Sequence, residues 1–238
     1  MDTNSHLAAH LRPTTTRPLL GLTVLVVEDS RYACDAMRLL CLRSGARIRR
    51  ADCLKSARRH LQVYRPSVVI VDLGLPDGSG AELISELTVA CPRVDVVIGT
   101  SGDSFSEEVA LAAGADGFLA KPVSSVSHFQ NTILAGLPPE RRPTGPRLVT
   151  DEPILPDPMA YRDDMAHAAE VLVDQENERS LRYVTQFLAG VARSAGDGAL
   201  QKAAEDLASA RRTGKPTQPT IARVASLVQD RLADRVAI

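Results

Sequence analysis

Residues 68–80 read VVIVDLGLPDGSG, and this stretch decides the fold. Four branched apolar residues in succession, closed by turn-forming residues, predict a short strand buried on both faces. The run ends on an acid, Asp72, and passes into a loop rich in Gly, Pro and Asp. Outward from it the same alternation recurs, with strands predicted at 23–27, 47–51, 67–71, 94–99 and 117–120. Between and after them lie segments of helical period at 31–44, 54–64, 80–90, 106–113 and 125–135, several closed by a glycine (Gly45, Gly114, Gly136) suited to a left-handed cap. Strand and helix in strict alternation predict five βα units around a parallel sheet. The first, third and fourth strands are almost wholly apolar and are expected at its centre.

The pattern then stops. Seven of the 15 prolines fall between Leu137 and Met159, predicting a linker at 138–158. Beyond it strand signals vanish, and apolar residues recur at helical spacing: Leu181, Val184, Leu188 and Val191, then Leu200, Ala204 and Leu207, then Ile221, Val224 and Val228. Asp197 and Thr217 are suited to N-caps and Gly214 to a helix end. The organisation expected is a flexible tail at 1–20, an α/β domain at 21–137, the linker, and a bundle of three or four helices at 159–238.

Composition excludes several classes. A net charge of −1 gives no general basic field for nucleic acid. The residues from Asp151 onward carry 11 Lys plus Arg against 14 Asp plus Glu, a net −3. Cys34, Cys41, Cys53 and Cys91 show neither CxxC spacing nor a histidine cluster, so they read as reduced thiols. No stretch reaches the roughly 20 apolar residues of a membrane span, so a soluble cytoplasmic protein is expected.

In an open parallel sheet, ligands bind beyond the carboxyl ends of the strands. There the sequence places Glu28 and Asp29 after the first strand, Asp72 at the third, Thr100 and Ser101 at the fourth, and Lys121-Pro122 after the fifth. Three carboxylates together call for a cation, and an all-oxygen donor set with room for water and phosphate suits Mg²⁺ better than zinc. An aspartate so placed is able to attack a phosphoryl group, with Lys121 and Thr100 answering the charge that develops.

These residues stand within VLVVEDS (24–30), VVIVDLGLPDGSG (68–80), VVIGTS (96–101) and GADGFLAKP (114–122). Through them, residues 22–137 resemble the receiver domain of bacterial two-component response regulators. The resemblance implies a flavodoxin-like sheet of order 2-1-3-4-5. Asp72 would be the phosphoacceptor. Asp29 would be a direct Mg²⁺ ligand, Glu28 a ligand through water, and the Gly74 carbonyl a third protein contact; Glu28 departs mildly from the Asp of many members. Lys121 would pair with the phosphoryl group, Thr100 would move to bond it, Phe118 would be the rotating aromatic, and the Lys121-Pro122 bond would be cis. It implies a histidine kinase or histidine phosphotransfer protein as donor. The chain would act on itself rather than as an enzyme on other molecules. Positions two beyond Asp72 and two beyond Thr100 are glycines, Gly74 and Gly102, so slow self-dephosphorylation is expected.

For the helical half, a module that dimerises or docks on a protein partner is preferred, since its apolar stripes are alanine-rich. A DNA-binding output is the alternative, disfavoured by charge. His167 lies on a solvent face, but its neighbours Ala168, Ala169 and Glu170 do not suit a phosphotransfer histidine. A haloacid-dehalogenase-like phosphohydrolase is the rival class; it wants its Asp nucleophile on the first strand, where Glu28 and Asp29 stand instead.

Overall fold

Branched side chains cannot be left in water along a whole strand, so the apolar runs gather into one sheet. A computed structural model describes residues 12–103, 105–147, 153–173 and 177–234. Its main sheet is formed by β1 (Thr23–Val27), β2 (Arg47–Ala51), β3 (Val68–Asp72), β6 (Val96–Ser101) and β7 (Gly117–Ala120). The order is β2-β1-β3-β6-β7, and every pairing is parallel. β3 and β6 are buried throughout, as expected of covered central strands. β2, at the edge, exposes Arg47, Arg49 and Arg50, charges that discourage pairing with another sheet.

Helices α1 (Arg31–Ser44), α2 (Leu54–Val63), α3 (Gly80–Val89), α4 (Ser106–Ala112) and α5 (Val126–Gly136) connect the strands. A two-residue hairpin, β4 (Gly74–Leu75) with β5 (Gly78–Ser79), follows β3 and was not foreseen. The chain reverses direction across the sheet between β1 and β3, and that switch opens the crevice where the site forms.

Local chemistry explains most boundaries. Ser30 Oγ accepts from the Ala33 amide at 3.0 Å and starts α1; Gly45 ends it with φ 82°. Gly114 takes φ 98° as predicted. Gly136 does not: it is the last residue of α5, with Leu137 as its cap. A Cβ on Gly136 would lie 2.9 Å from Val96 Cγ1, so this glycine serves close helix–strand packing. The Lys121-Pro122 bond is cis, as is Cys91-Pro92. Within the expected tail, residues 1–11 lie outside the described residues. Leu19 instead belongs to the packed unit: it is fully buried and its amide donates to the Ser44 carbonyl at 2.9 Å. Ile154, inside the proline-rich stretch, is also buried against the α/β core.

The second half holds four helices, α6 (Pro158–Leu172), α7 (Glu178–Ala195), α8 (Gly198–Arg212) and α9 (Gln218–Ala233). Short connections make neighbours antiparallel, and α6 and α8 each pack on both α7 and α9. Leu188, Ala192, Ala204, Leu207 and Val224 are buried at its centre, where alanines let the helices approach closely. Asp197 ties three helices together. It caps α8 through the Leu200 amide at 3.1 Å, accepts from Tyr161 Oη of α6 at 2.8 Å, and pairs with Arg231 Nε of α9 at 2.7 Å. Thr217 stands at the N-cap of α9 without a side-chain capping bond, and Gly214 takes φ 66° just past α8.

Candidate phosphoacceptor site

The switch between β1 and β3 brings Glu28, Asp29 and Asp72 to one rim. Carboxylate oxygens of the three lie within 4.8 Å of one another. Asp72 is the last residue of β3, in register with Thr100 of β6. Its backbone is crowded by Gly80 at the start of α3, where a Cβ would fall 2.0 Å from the Asp72 carbonyl oxygen, so only glycine fits there. Lys121 follows β7 and reaches into the cluster. Its Nζ lies 2.6 Å from Glu28 Oε2 and 3.2 Å from Asp72 Oδ1.

All these groups are buried or nearly so, which sets their electrostatics. Burial, with the charges of Asp72 and Asp29, holds the Glu28 carboxyl above its ordinary range against the pull of Lys121. Burial and Asp72 do the same to Asp29. Burial alone would lower Lys121, but Asp72 and Glu28 outweigh it and keep the ammonium protonated beyond its usual range. One lysine cannot neutralise three acids. The donor set is wholly oxygen, three clustered carboxylates against a single ammonium, and it therefore fits a hard divalent cation. Glu28, Asp29 and Asp72 are the side chains that would hold it.

Thr100 is fully buried and its hydroxyl donates to the Leu119 carbonyl at 2.7 Å, so it is engaged with β7 rather than with Asp72. Phe118 is half-buried, its ring edge near Gly99. Gly74 and Gly102 border the site, as their sequence positions imply.

The helical half also enters this site, and sequence reasoning did not anticipate it. Tyr183 of α7 donates to Asp29 Oδ2 at 2.6 Å, and Gln186, Phe187 and Gly190 line the cavity over Asp72. Asp164 of α6 reaches the N-terminus of α1. It accepts from Ser30 Oγ at 2.7 Å, from the Arg31 amide at 2.7 Å and from the Tyr32 amide at 3.1 Å. Those first-turn amides have no acceptor within the helix, and a carboxylate there also meets the positive end of the helix dipole. His167 is exposed as predicted, yet its Nε2 lies 3.0 Å from Tyr183 Oη and its ring packs edge-on against Phe187. The spacing of Tyr183, Gln186 and Gly190, at i, i+3 and i+7, was the available signal, since it marks a second face of α7 beside its apolar stripe.

Comparison with known proteins agrees with this geometry. The sequence model for the response regulator receiver domain matches residues 24–132. Residues 24–132 are a response regulator receiver domain. The KDP operon transcriptional regulatory protein KdpE of Escherichia coli K12 is 33% identical over 99 residues, which is 42% of this chain and 44% of that protein. The virulence transcriptional regulatory protein PhoP of Shigella flexneri is 32% identical over 102 residues, 42% of this chain and 46% of that protein. The chain thus spans less than half the length of these curated relatives. Among solved structures, the signal receiver domain of a signal transduction histidine kinase from Syntrophus aciditrophicus is similar at 23% identity and a TM-score of 0.45, covering 49% of this chain and 90% of that one. Among the described residues no helix is long and apolar enough to cross a membrane.

Proposed function

We propose that this protein is a response regulator that accepts a phosphoryl group on Asp72 and transmits the change through its helical half. The observation that carries the reading is Lys121 Nζ held between Glu28 and Asp72 on a rim where three carboxylates converge. An Asp72 carboxylate oxygen attacks phosphorus; a new O–P bond forms, the donor's P–N or P–O bond breaks, and the donor's leaving atom keeps the electron pair. Lys121 meets the negative charge that gathers on the phosphoryl oxygens. Mg²⁺, when bound by Glu28, Asp29 and Asp72, would supply further positive charge for the same purpose. Thr100 exchanges its bond to Leu119 for one to the phosphoryl group, and Phe118 moves with it. With glycine at 74 and 102, neither position supplies a side chain to orient water, which favours a long-lived phosphoprotein.

The donor is a histidine kinase or a histidine phosphotransfer protein, and the output is a change in protein contacts made by the helical half. The named relatives are transcriptional regulators, but the similarity covers only 42% of this chain and less than half of each relative. The bundle's compact basic group does not favour nucleic acid either. Arg211 is spent on Glu178, 3.0 Å away, and Arg211 and Arg212 sit in the last turn of α8, where they answer the helix dipole. Intact mass after incubation with Mg²⁺ and acetyl phosphate tests the reading. Wild type gains one phosphoryl group and Asp72→Ala gains none; equal uptake by both, or by neither, overturns it.

A further inference from the structure

We propose that the helical half is a removable cap on the phosphoacceptor, held shut in the unphosphorylated chain and expelled when Asp72 takes up a phosphoryl group. The proposal rests on the phosphoacceptor reading and adds the regulation of that site.

Space is the first argument. With α7 in place, the cavity bounded by Asp72, Lys121 and Gln186 has a volume of about 30 Å³. That is room for roughly two water molecules. A phosphoryl group on Asp72 would enter beneath Gln186, Phe187 and Gly190 of α7, while Glu28 and Asp29 also open onto a cleft of about 1020 Å³ on their other side. The second argument is competition. Tyr183 Oη donates to Asp29 Oδ2 at 2.6 Å and so competes for the carboxylate that would ligate the cation.

The third argument is fit. A Cβ on Gly74 would lie 2.6 Å from Gln186 Nε2, and one on Gly102 would lie 3.6 Å from Gly190 Cα. Gly74 thus lies directly beneath the Gln186 side chain, and Gly102 stands at ordinary van der Waals distance from the α7 backbone. Asp164 adds an anchor away from the chemistry, through its bonds to Ser30 Oγ and to the Arg31 and Tyr32 amides. A second tie joins the Asp157 amide to Asp35 Oδ2 at 2.9 Å. The tether between the two halves keeps the cap at high effective concentration, so it reseats once the phosphoryl group leaves.

A ligand that binds only the open form shifts the population towards it, and by reciprocity a weakened cap eases binding at Asp72. The Arg31 and Tyr32 amides report the state of the cap directly. As first-turn donors they have no partner within α1, and Asp164 is their acceptor only when the cap is seated.

The test uses the full chain with Mg²⁺ and beryllofluoride, a phosphoryl analogue. The Asp72 adduct is followed by ¹⁹F NMR and exchange of the Arg31 and Tyr32 amides by ¹⁵N NMR, for wild type, Tyr183→Phe and Asp164→Ala. In wild type the adduct is expected to strip protection from both amides. Tyr183→Phe, nearly isosteric, is expected to form the adduct at roughly tenfold lower beryllofluoride concentration, equal to about 1.4 kcal/mol. Asp164→Ala is expected to shift the same way. An adduct that forms while the amides stay protected overturns the cap and leaves the phosphoacceptor standing, as does equal adduct formation in all three proteins. No adduct in any of the three overturns both.

Discussion

The two halves of the molecule meet at Asp29 and approach it with opposite chemistry. The receiver brings charge: Glu28, Asp29, Asp72 and Lys121, placed by strand ends whose order is fixed by the sheet. The bundle brings neutral groups to the site, the Tyr183 hydroxyl that donates to Asp29 and the Gln186 side chain that lines the cavity, placed by one helix face. The first arrangement cannot be moved without unfolding the sheet. The second is carried on a separate core of helices. A site built by backbone topology and stoppered by side chains is one in which chemistry and control are separable by mutation.

The largest expected effect tests that separation. Asp72→Ala should abolish phosphoryl uptake by intact mass while leaving the bundle's helical signal at 222 nm and its melting unchanged; loss of the bundle as well would show the halves to be one cooperative unit. Next, Leu188→Ala opens a cavity in the bundle core, where Leu188 is fully buried. It should cost about 2–5 kcal/mol in denaturant titration. The Asp72 site should survive it, with phosphoryl uptake faster than wild type because α7 is the cap.

A smaller effect concerns the tie that holds the bundle together. Asp197→Ala removes the α8 cap and the partner of Arg231, and a loss of about 1–2 kcal/mol is expected. The hydrogen bonds from Arg231 pull the Asp197 carboxyl down to about 2 against a modest cost of burial. A carboxyl with a depressed folded value stabilises the fold fully above its unfolded value near pH 4 and loses that contribution as pH falls towards 2. The wild-type bundle should therefore weaken between pH about 4 and about 2, and Asp197→Ala should flatten that slope. Smallest is a contrast in thiols. Burial pushes Cys34 and Cys41 up to about 12, whereas Cys91 is exposed. A thiol reagent should modify Cys91 first and reach Cys34 and Cys41 only on unfolding.

Much of the receiver was legible because its signals are local. Runs such as VVIVD carry strand type and burial in the side chains themselves, and the rule that ligands gather at strand ends then names Asp72, Asp29 and Lys121. Boundaries slipped by a residue or two where the last residue is polar, as with Asp72 and Ser101, which belong to their strands because neighbouring strands pair with them. Gly136 was misread because glycine serves a left-handed cap and close packing equally well, and only Val96 at its flank decides between them. Leu19 and Ile154 looked like tail and linker because one pair of apolar residues beside prolines, Leu19-Leu20 or Ile154-Leu155, has no period to betray it.

By itself the sequence determined the five βα units, the acids at their strand ends and the existence of a second, helical core, because each rests on patterns of a few adjacent residues. Only the tertiary structure decided that Tyr183 and Asp164 bond receiver groups more than a hundred residues away and that Gln186 lines the same cavity. Such contacts depend on how two separately patterned cores orient against each other, and no local periodicity encodes that orientation.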